Sequence, residues 1–293
     1  MLDVRRLRLL RELAHRGTIA AVAEALVLTP SAVSQQLAVL EREAGVQLLE
    51  RTGRRVALTP AGRGLVTHAE AVLARLEEAA AELAATRRGL AGPLRIGSFP
   101  SAARSLLPTA LALLGRDHPG LEPMVVEIDP ADVADALRAG ELDVALIHHY
   151  DFVPPSPDPS LDTAPLLAET MYLASPDGWE PDGTDPIGRW RAAPWILAKP
   201  GTLCHAMAVR SCQAAGFTPT ARHHIDDFST VLALVAIGQG VALVPQLAVA
   251  GPPVAATLTA LPMRRHTQLA FRRGAGTHPA VAAFAAALRA AAG

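Results

Sequence analysis

A long segment without proline or glycine divides this chain into two unequal parts. After Gly64 neither residue occurs before Gly89, which leaves room for about seven turns of helix. Apolar residues recur in the segment at spacings of 4, 3, 4, 3 and 4. This spacing is typical of a coiled-coil seam, although an amphipathic helix packed on its own domain has the same pattern. The residues of the seam are Leu65, Ala69, Val72, Leu76, Ala79 and Leu83.

The charge distribution differs on the two sides of this helix. Residues 1–92 hold 13 arginines and 10 acidic residues, a net charge of +3, whereas residues 93–293 carry −4. The whole chain is therefore nearly neutral, at −1, and has no global attraction to nucleic acid or to anionic membranes. Any DNA-binding signal has to be local, and the positive N-terminal part is where we expect it.

The N-terminal part contains a candidate helix-turn-helix. Thr29 is a good N-cap and Pro30 suits the first position of the helix that follows. One face of this helix is apolar and the other is short and polar, as a helix that enters the major groove requires. Two helices of a small bundle with a solvated face would have the same periodicity. The apolar face comprises Val33, Leu37, Leu40 and Ala44, and the polar face carries Ser31, Ser34, Gln35 and Arg42.

A predicted hairpin follows over residues 48–62, with Arg51, Arg54 and Arg55 around its turn. A basic wing beside a recognition helix holds the phosphate backbone of DNA. The alternative is a solvated loop that happens to contain three arginines.

After Pro93, short apolar runs alternate with helical stretches, which predicts an α/β region with a mainly parallel sheet. A proline-rich connector at 153–159 separates two such sets, so we expect two lobes with a cleft between them. The tail has no lobe of its own and could return to the first one. The predicted strands are 94–97, 124–128, 144–147, 170–174, 195–198, 221–225, 241–244 and 268–271.

Together these residues resemble the LysR-type transcriptional regulators, strongly up to Gly62 and mainly by architecture beyond Pro93. The resemblance implies an N-terminal α-helical winged helix-turn-helix over 1–60 and a linker and dimerisation helix over 61–92. It also implies a C-terminal, two-lobed α/β effector-binding domain over 93–293, similar to periplasmic binding proteins, with lobe I at about 93–160 and 267–293 and lobe II at about 161–266. The matching residues are Ala20, Ala21, Ala23, Leu26, the run from Thr29 to Leu37, Leu40, Glu41, Leu48, Arg51, Arg54 and the run from Leu58 to Gly62.

The resemblance further implies a sequence-specific DNA-binding regulator that responds to a small-molecule effector of unknown identity. Its expected partners are double-stranded operator DNA, further copies of itself in a homodimer or homotetramer, and RNA polymerase; no cofactor is implied. The expected DNA contacts are Thr29, Pro30, Ser31, Ser34, Gln35, Arg51, Arg54 and Arg55.

The effector is expected in the cleft, against loops at the carboxyl ends of strands. Hydroxyls and amides at helix starts would suit a carboxylate or another small anion, although serine and threonine at these positions also serve as plain N-caps. The candidate effector contacts are Ser98, Phe99, Ser101, His148, Thr202 and Asp227.

Other classes of function find less support. The sequence has no nucleophile elbow, no phosphate loop and no paired carboxylates on one short catalytic motif, so we expect no catalytic residues and no enzyme activity. Adjacent histidines of a strand point to opposite faces, which argues against a metal site. A solute-binding protein would share the C-terminal pattern, but arginines interrupt the N-terminal apolar residues, which predicts no signal peptide and a cytoplasmic protein. The most apolar stretch, 231–250, is broken by Gly238, Gly240 and Pro245, which predicts no membrane span.

Two cysteines leave one alternative open. Cys204 and Cys212 lie on one predicted helix, about 12 Å apart along its axis and too far for a disulfide without local refolding. A peroxide-sensing member of the family places two cysteines in a similar region. Apolar packing is the simpler interpretation.

Overall fold

The computed structural model describes residues 1–52, 55–86, 89–154, 157–251 and 255–292. Its N-terminal part is a three-helix unit with a two-stranded hairpin, and the apolar faces of these elements share one core. Asp3, Thr18 and Thr29 cap the three helices by accepting backbone N–H bonds. The elements are α1 (Val4–Arg16), α2 (Ile19–Ala25), α3 (Pro30–Ala44), β1 (Leu49–Thr52) and β2 (Arg55–Leu58).

The turn between α2 and α3 contains a strained residue. Val27 has φ +54° and its side chain is 92% exposed. The left-handed conformation is unfavourable for a β-branched residue, and this one gains no burial in return. Val27 therefore contributes strain to the turn that sets the angle between α2 and α3.

The long helix predicted after Gly64 is α4 (Pro60–Ala85), capped by Thr59. Its seam divides into two parts. Leu65 and Ala69 pack against the N-terminal core, as in the alternative of a helix packed on its own domain. The later seam residues are exposed in the protomer, with Val72 at 39%, Leu76 at 49% and Leu83 at 69%.

The C-terminal region alternates strands and helices, and its first two helices meet at Leu106. The elements are β3 (Ala91–Ser98), α5 (Pro100–Ser105), α6 (Leu107–Asp117), β4 (Gly120–Glu127), α7 (Val133–Ala139), β5 (Val144–Tyr150), β6 (Leu161–Pro176), β7 (Pro194–Leu197), α8 (Leu203–Ala214), β8 (Thr220–His224), α9 (Phe228–Ala236), β9 (Ala242–Pro245), α10 (Gln246–Val249), β10 (Ala256–Arg272) and α11 (Pro279–Ala292).

The main sheet has the order β4-β3-β5-β10-β6-β9. Strands β4, β3 and β5 are parallel, but β10 is antiparallel to both β5 and β6, and β9 is antiparallel to β6. The prediction of a mainly parallel sheet is therefore wrong for this half. The reason is that β6 and β10, with 16 and 17 residues, run through both lobes and were recognised from the sequence only as short pieces.

Each lobe has its own core. The core of lobe I lies between the strands β3, β4 and β5 and the helices α6 and α11, so the tail returns to this lobe. The core of lobe II gathers β7, β9, α8 and the adjoining parts of β6 and β10. The two long strands, β6 and β10, connect the lobes. Among the described helices, none is both long and apolar enough to cross a membrane.

Candidate functional site

The recognition-helix candidates lie as the sequence predicts. Ser31, Ser34 and Gln35 are exposed on α3, while the opposite face of the helix is buried in the N-terminal core. Thr29 Oγ1 accepts the backbone N–H of Ala32 at 3.2 Å and lies 3.1 Å from the hydroxyl of Ser31. Thr29 is thus an N-cap, and its hydroxyl also positions the first polar side chain of the exposed face.

The wing is an antiparallel hairpin in which Leu49 pairs with Leu58 and Thr52 with Arg55. The backbones of Arg51 and Arg55 lie in its strands, and Arg54 lies outside the described residues. Glu41 of α3 holds the wing, because its Oε1 accepts the N–H groups of Leu48 and Leu49 at 2.9 and 3.0 Å. Sequence reasoning assigned no role to this carboxylate, although its place at the end of α3 next to the hairpin was visible.

A cavity of about 250 Å³ lies between the lobes, where the carboxyl ends of β3, β4, β7 and β8 face one another. This is the position at which open α/β sheets bind ligands. Its walls come from both lobes and from the strand β10 that joins them. The cavity is lined by Phe99, Pro100, Ser101, Arg104, Glu127, Ile128, Asp129, Pro130, His148, Ala198, Thr202, Cys204, Asp226, Asp227, Phe228 and Arg265.

Among the predicted effector contacts, five line this cavity: Phe99, Ser101, His148, Thr202 and Asp227. Ser98 does not, because its fully buried hydroxyl donates to the carbonyl of Phe99. The sequence placed His148 just after the end of a strand, but in the structure it lies within β5.

The charged residues at the centre of the cleft were missed from the sequence. Arg265 of β10 is 1% exposed and Glu169, its cross-strand neighbour on β6, is 3% exposed. Arg265 Nε donates to Glu169 Oε1 at 2.7 Å, and Arg265 Nη2 donates to the hydroxyl of Ser101 at 2.9 Å. The guanidinium also lies 4.9 Å from the ring centre of Phe99, within range of a cation–π contact. The pair thus joins both crossing strands to the first loop of lobe I.

Arg104 and Ser105 of α5 connect the two sides of the cleft. Arg104 of α5 donates to the hydroxyl of Ser229 on α9 and to the carbonyl of Ala248, and the hydroxyl of Ser105 donates to the carbonyl of Leu247 at 2.9 Å. These bonds cross from lobe I to α9 and α10. A change in lobe closure would have to break or move them.

Two of the three hydroxyls expected to hold an anion, those of Ser98 and Thr202, already donate to backbone carbonyls, whereas that of Ser101 only accepts a bond from Arg265. Thr202 Oγ1 donates to the carbonyl of Lys199 and accepts the N–H of His205, and Asp227 caps α9 through the N–H of Thr230. The lining also holds four carboxylates but only two guanidinium groups. The charge balance therefore favours a ligand with a positively charged group over a simple anion.

A buried polar cluster forms the floor of the cleft. His148 is 6% exposed, its ring meets that of Phe99 edge to face at 4.7 Å, and its Nε2 lies 3.9 Å from the sulfur of Cys204. The hydroxyl of Tyr150 lies 3.2 Å from the same sulfur. Burial, with a smaller effect from the positive charge of Arg265, holds the pKa of His148 well below its ordinary value. His148 is consequently the neutral imidazole at physiological pH.

We expect acidification to destabilise the protein through His148. The unfolded chain takes up a proton near the ordinary histidine pKa of about 6.5, whereas the folded state does not, so the free energy of unfolding falls as the pH drops below that value. The loss approaches about 1.4 kcal/mol per pH unit for one group. Denaturant unfolding at pH 7.5 and 5.5 should show this loss in the native chain and a smaller one in His148→Leu. His68→Gln alters an exposed histidine on α4 as the control, and an equal loss in all three proteins would contradict the assignment.

The comparisons with known proteins agree with this arrangement. The model for the bacterial regulatory helix-turn-helix protein, lysR family, matches residues 4–63, and the model for the LysR substrate binding domain matches residues 87–293. The chain is 33% identical over 246 residues to a "Probable hydrogen peroxide-inducible genes activator" of Mycobacterium avium, covering 83% of this chain and 78% of the relative. It is 31% identical over 297 residues to the "Probable HTH-type transcriptional regulator LrrA" of Synechococcus elongatus, covering 98% and 97%.

Solved structures share the whole architecture. A mutant of OxyR from Corynebacterium glutamicum superposes with a TM-score of 0.58 at 27% sequence identity, covering 99% of this chain and 92% of that one. A winged helix-turn-helix joined by a long helix to a two-lobed α/β domain defines a class of ligand-responsive, DNA-binding transcriptional regulators. The chain belongs to the LysR family of that class. Members of this family are regulators and not enzymes.

Proposed function

We propose that the chain reads operator DNA through α3 and binds the DNA backbone through the wing. The observation that carries this proposal is the exposed Ser31, Ser34 and Gln35 face on a helix whose other side is buried. Gln35 would read a base edge, most readily that of adenine, while Thr29, Pro30, Arg51, Arg54 and Arg55 would contact the phosphate backbone and set the position of α3. The site of action would be the cytoplasm, where the DNA is.

The effector would bind in the cleft between the lobes. The charge balance of the lining supports a small molecule with an apolar body and a positively charged group, in contact with residues such as Glu127 and Asp129. Asp226 is already paired with Lys199 at 3.0 Å. Binding there would alter the contacts of Arg104 across the lobes and shift their relative position.

A second copy of the chain would cover the exposed apolar stripe of α4, formed by Val72, Leu76 and Leu83. Their spacing continues the heptad pattern, which supports helix-to-helix pairing. Pairing of dimers through the C-terminal domains would give a tetramer. A change in lobe geometry would then alter the spacing of the paired wings and the bend of the DNA, and so the action of RNA polymerase beside it.

A DNA-binding comparison tests the assignment of α3 and the wing. A nuclease footprint on the DNA upstream of its own gene, with excess random competitor, first supplies the operator. Gln35→Ala should then weaken operator binding by about tenfold to a hundredfold and leave binding to random DNA unchanged. Arg54→Ala should weaken binding to both DNAs and lower the slope of log K against log salt by about one.

Gln213→Ala is the matched control, because Gln213 is an exposed glutamine on α8, which is far in sequence from α3 and the wing. Equal losses on operator and random DNA for Gln35→Ala would refute its base-reading role. Protection of no fragment at moderate salt would argue against operator binding by the protein without its effector.

The names of several relatives raise peroxide response as a second candidate, and the thiols of this chain argue against it. Burial raises the pKa of Cys204, and it raises the pKa of Cys212 to about 12. Since the thiolate is the reactive form, the fraction available at neutral pH is on the order of 1 in 10⁵ for a thiol with that pKa.

We therefore expect native protein exposed to an equimolar amount of peroxide to keep both thiols. Alkylation in denaturant followed by intact mass analysis should find two labels per chain, whereas protein unfolded before exposure should lose labels. A native-state loss of two hydrogens, or a gain of one oxygen on Cys204, would restore peroxide sensing as a function.

A further inference from the structure

A second cavity lies where the N-terminal unit, the long helix and lobe I meet. Its volume is about 360 Å³, and it is separate from the cleft between the lobes. Arg8 and Arg11 of α1 form one wall, Glu70 and Glu77 of α4 a second, and residues of lobe I the third. The lobe I wall includes Arg138, Ala139, Gly140, Ser160, Arg272 and Arg273. Five guanidinium groups and two carboxylates line the cavity, and further carboxylates just outside it pair with several of these arginines.

Arg8 has no carboxylate within ion-pair distance in the part of the chain that the structure describes. Its Nη2 donates to the carbonyls of Arg138 and Ala139, at 3.2 and 2.8 Å, which are free because α7 ends there. Burial, together with the positive charge of Arg11, lowers the pKa of Arg8. Its guanidinium is thus a half-buried cation that is bonded to carbonyl groups, while the carboxylates of Glu12 and Glu77 act on it without direct contact.

Two more arginines have donors to spare. Arg11 and Arg138 are each 5% exposed, and in the described residues the Nε–H of each lacks a hydrogen-bond partner. An unmade hydrogen bond from a buried charged group is costly. Arg273 stands exposed at the cavity, where its nearest acid, Asp162, is 3.5 Å away. Arg11, Arg138 and Arg272 are ion-paired with Glu12, Asp158 and Glu77, and the unpaired Nε–H groups are enclosed by protein. The positive charge that a ligand can reach therefore lies with Arg8 and Arg273.

We propose that this cavity is a second ligand site, which binds a small phosphorylated anion between α1, α4 and lobe I. Guanidinium groups match the oxygens of phosphate in pairs, and such charge-assisted bonds are strongest where water is excluded. A phosphate group would meet the remaining N–H donors of Arg8, and Arg273 would cover it from outside. The volume leaves room for more than a single phosphate group.

Occupation of this site would stabilise one arrangement of the regulator. Arg16 of α1 bonds the side chain of Asp135 at 3.1 Å, and Arg272 of β10 bonds Glu77 of α4 at 2.7 Å. These contacts already attach the DNA-binding unit and the long helix to lobe I. An anion bridging the same three parts would strengthen that attachment, and so couple the anion to DNA binding without involving the effector cleft.

The experiment is isothermal titration of the full chain with inorganic pyrophosphate at constant ionic strength, with citrate as a carboxylate of similar charge. We expect saturable binding of pyrophosphate, weaker binding of citrate and a rise in the melting temperature on saturation. Arg8→Gln combined with Arg273→Gln should weaken binding by at least about tenfold. Arg273→Gln alone removes an exposed side chain, leaves the fold intact and should weaken it by about fivefold.

Two controls locate the anion. Arg116→Gln removes an exposed arginine of α6 that pairs with Asp117 outside the cavity, and it should leave the affinity unchanged. Arg54→Ala tests the wing, where DNA phosphates are expected. Absence of saturable binding, equal weakening in Arg116→Gln, or a loss in Arg54→Ala with none in Arg273→Gln would overturn the proposal. None of these outcomes depends on whether the cleft binds an effector.

Discussion

Replacing Gly62 by alanine is expected to unfold the DNA-binding unit while leaving the C-terminal domain folded. A Cβ atom at this position would lie 2.2 Å from the carbonyl oxygen of Leu48, far inside van der Waals contact with backbone that cannot move freely. Leu48 is fixed there because its carbonyl accepts the N–H of Thr59, whose hydroxyl caps α4 through the N–H of Gly62. We expect a loss of about 3 kcal/mol in the free energy of unfolding of this small unit.

Circular dichroism and tryptophan fluorescence separate the two parts of the chain. The three tryptophans lie between residues 179 and 195, so their fluorescence transition should stay unchanged while an early helical transition moves to lower temperature. Operator binding should fall with that early transition. Gly64→Ala is the matched control, since a Cβ there meets no atom within 4 Å and alanine should stabilise the helix by about 1 kcal/mol. Equal melting of the two variants would refute the close-approach argument.

The elements that local patterns define were predictable from the sequence. The apolar face of α3, the cap by Thr29 and the strands of the wing depend on neighbouring residues, so periodicity and turn chemistry were sufficient. The later part of the α4 seam is exposed as a coiled-coil stripe should be, whereas Leu65 and Ala69 turned inwards. Helical spacing alone does not tell which partner covers a given apolar residue.

The centre of the cleft was not predictable, because it depends on strands far apart in the chain. Glu169 and Arg265 are 96 residues apart, and each lies in a long strand of which only a fragment had a clear apolar pattern. Charged residues interrupted the pattern at the point where the strands cross between the lobes. Conversely, Ser98 had the expected position after an apolar run but turned into the core, since the direction of a side chain at a strand end depends on register.

The contacts between the N-terminal unit and lobe I were also not predictable from the sequence. The arginines of α1 read as local positive charge consistent with DNA binding, yet Arg8, Arg11 and Arg16 face lobe I. Net charge over a segment reports an average and does not assign the direction of individual side chains. The positive N-terminal part therefore divides its arginines between the proposed DNA surface and an internal surface.

Replacing Glu169 by glutamine is expected to destabilise the C-terminal domain by about 3 to 5 kcal/mol, because the buried Arg265 would lose its counter-charge. The side-chain amide of the new glutamine also has the wrong hydrogen-bonding groups for this position. Both native partners are donors, Arg265 Nε–H at 2.7 Å and the N–H of Leu247 at 2.6 Å, whereas glutamine presents one acceptor and one donor group. One buried donor would thus face another.

Denaturant unfolding followed by tryptophan fluorescence measures this loss directly, since all three tryptophans lie in lobe II. Glu122→Gln, at an exposed glutamate of the edge strand β4, is the matched control and should unfold as the native chain does. The double variant Glu169→Leu with Arg265→Met should recover much of the stability, because it removes both charges together. Coincident midpoints for Glu169→Gln and Glu122→Gln would show that the pair contributes nothing to folding. A strong loss of stability in Glu169→Gln, with recovery in the double variant, would mean that the protein keeps the pair at a cost in stability. That outcome fits a role for the pair in holding β6, β10 and the Ser101 loop in one register beside the ligand.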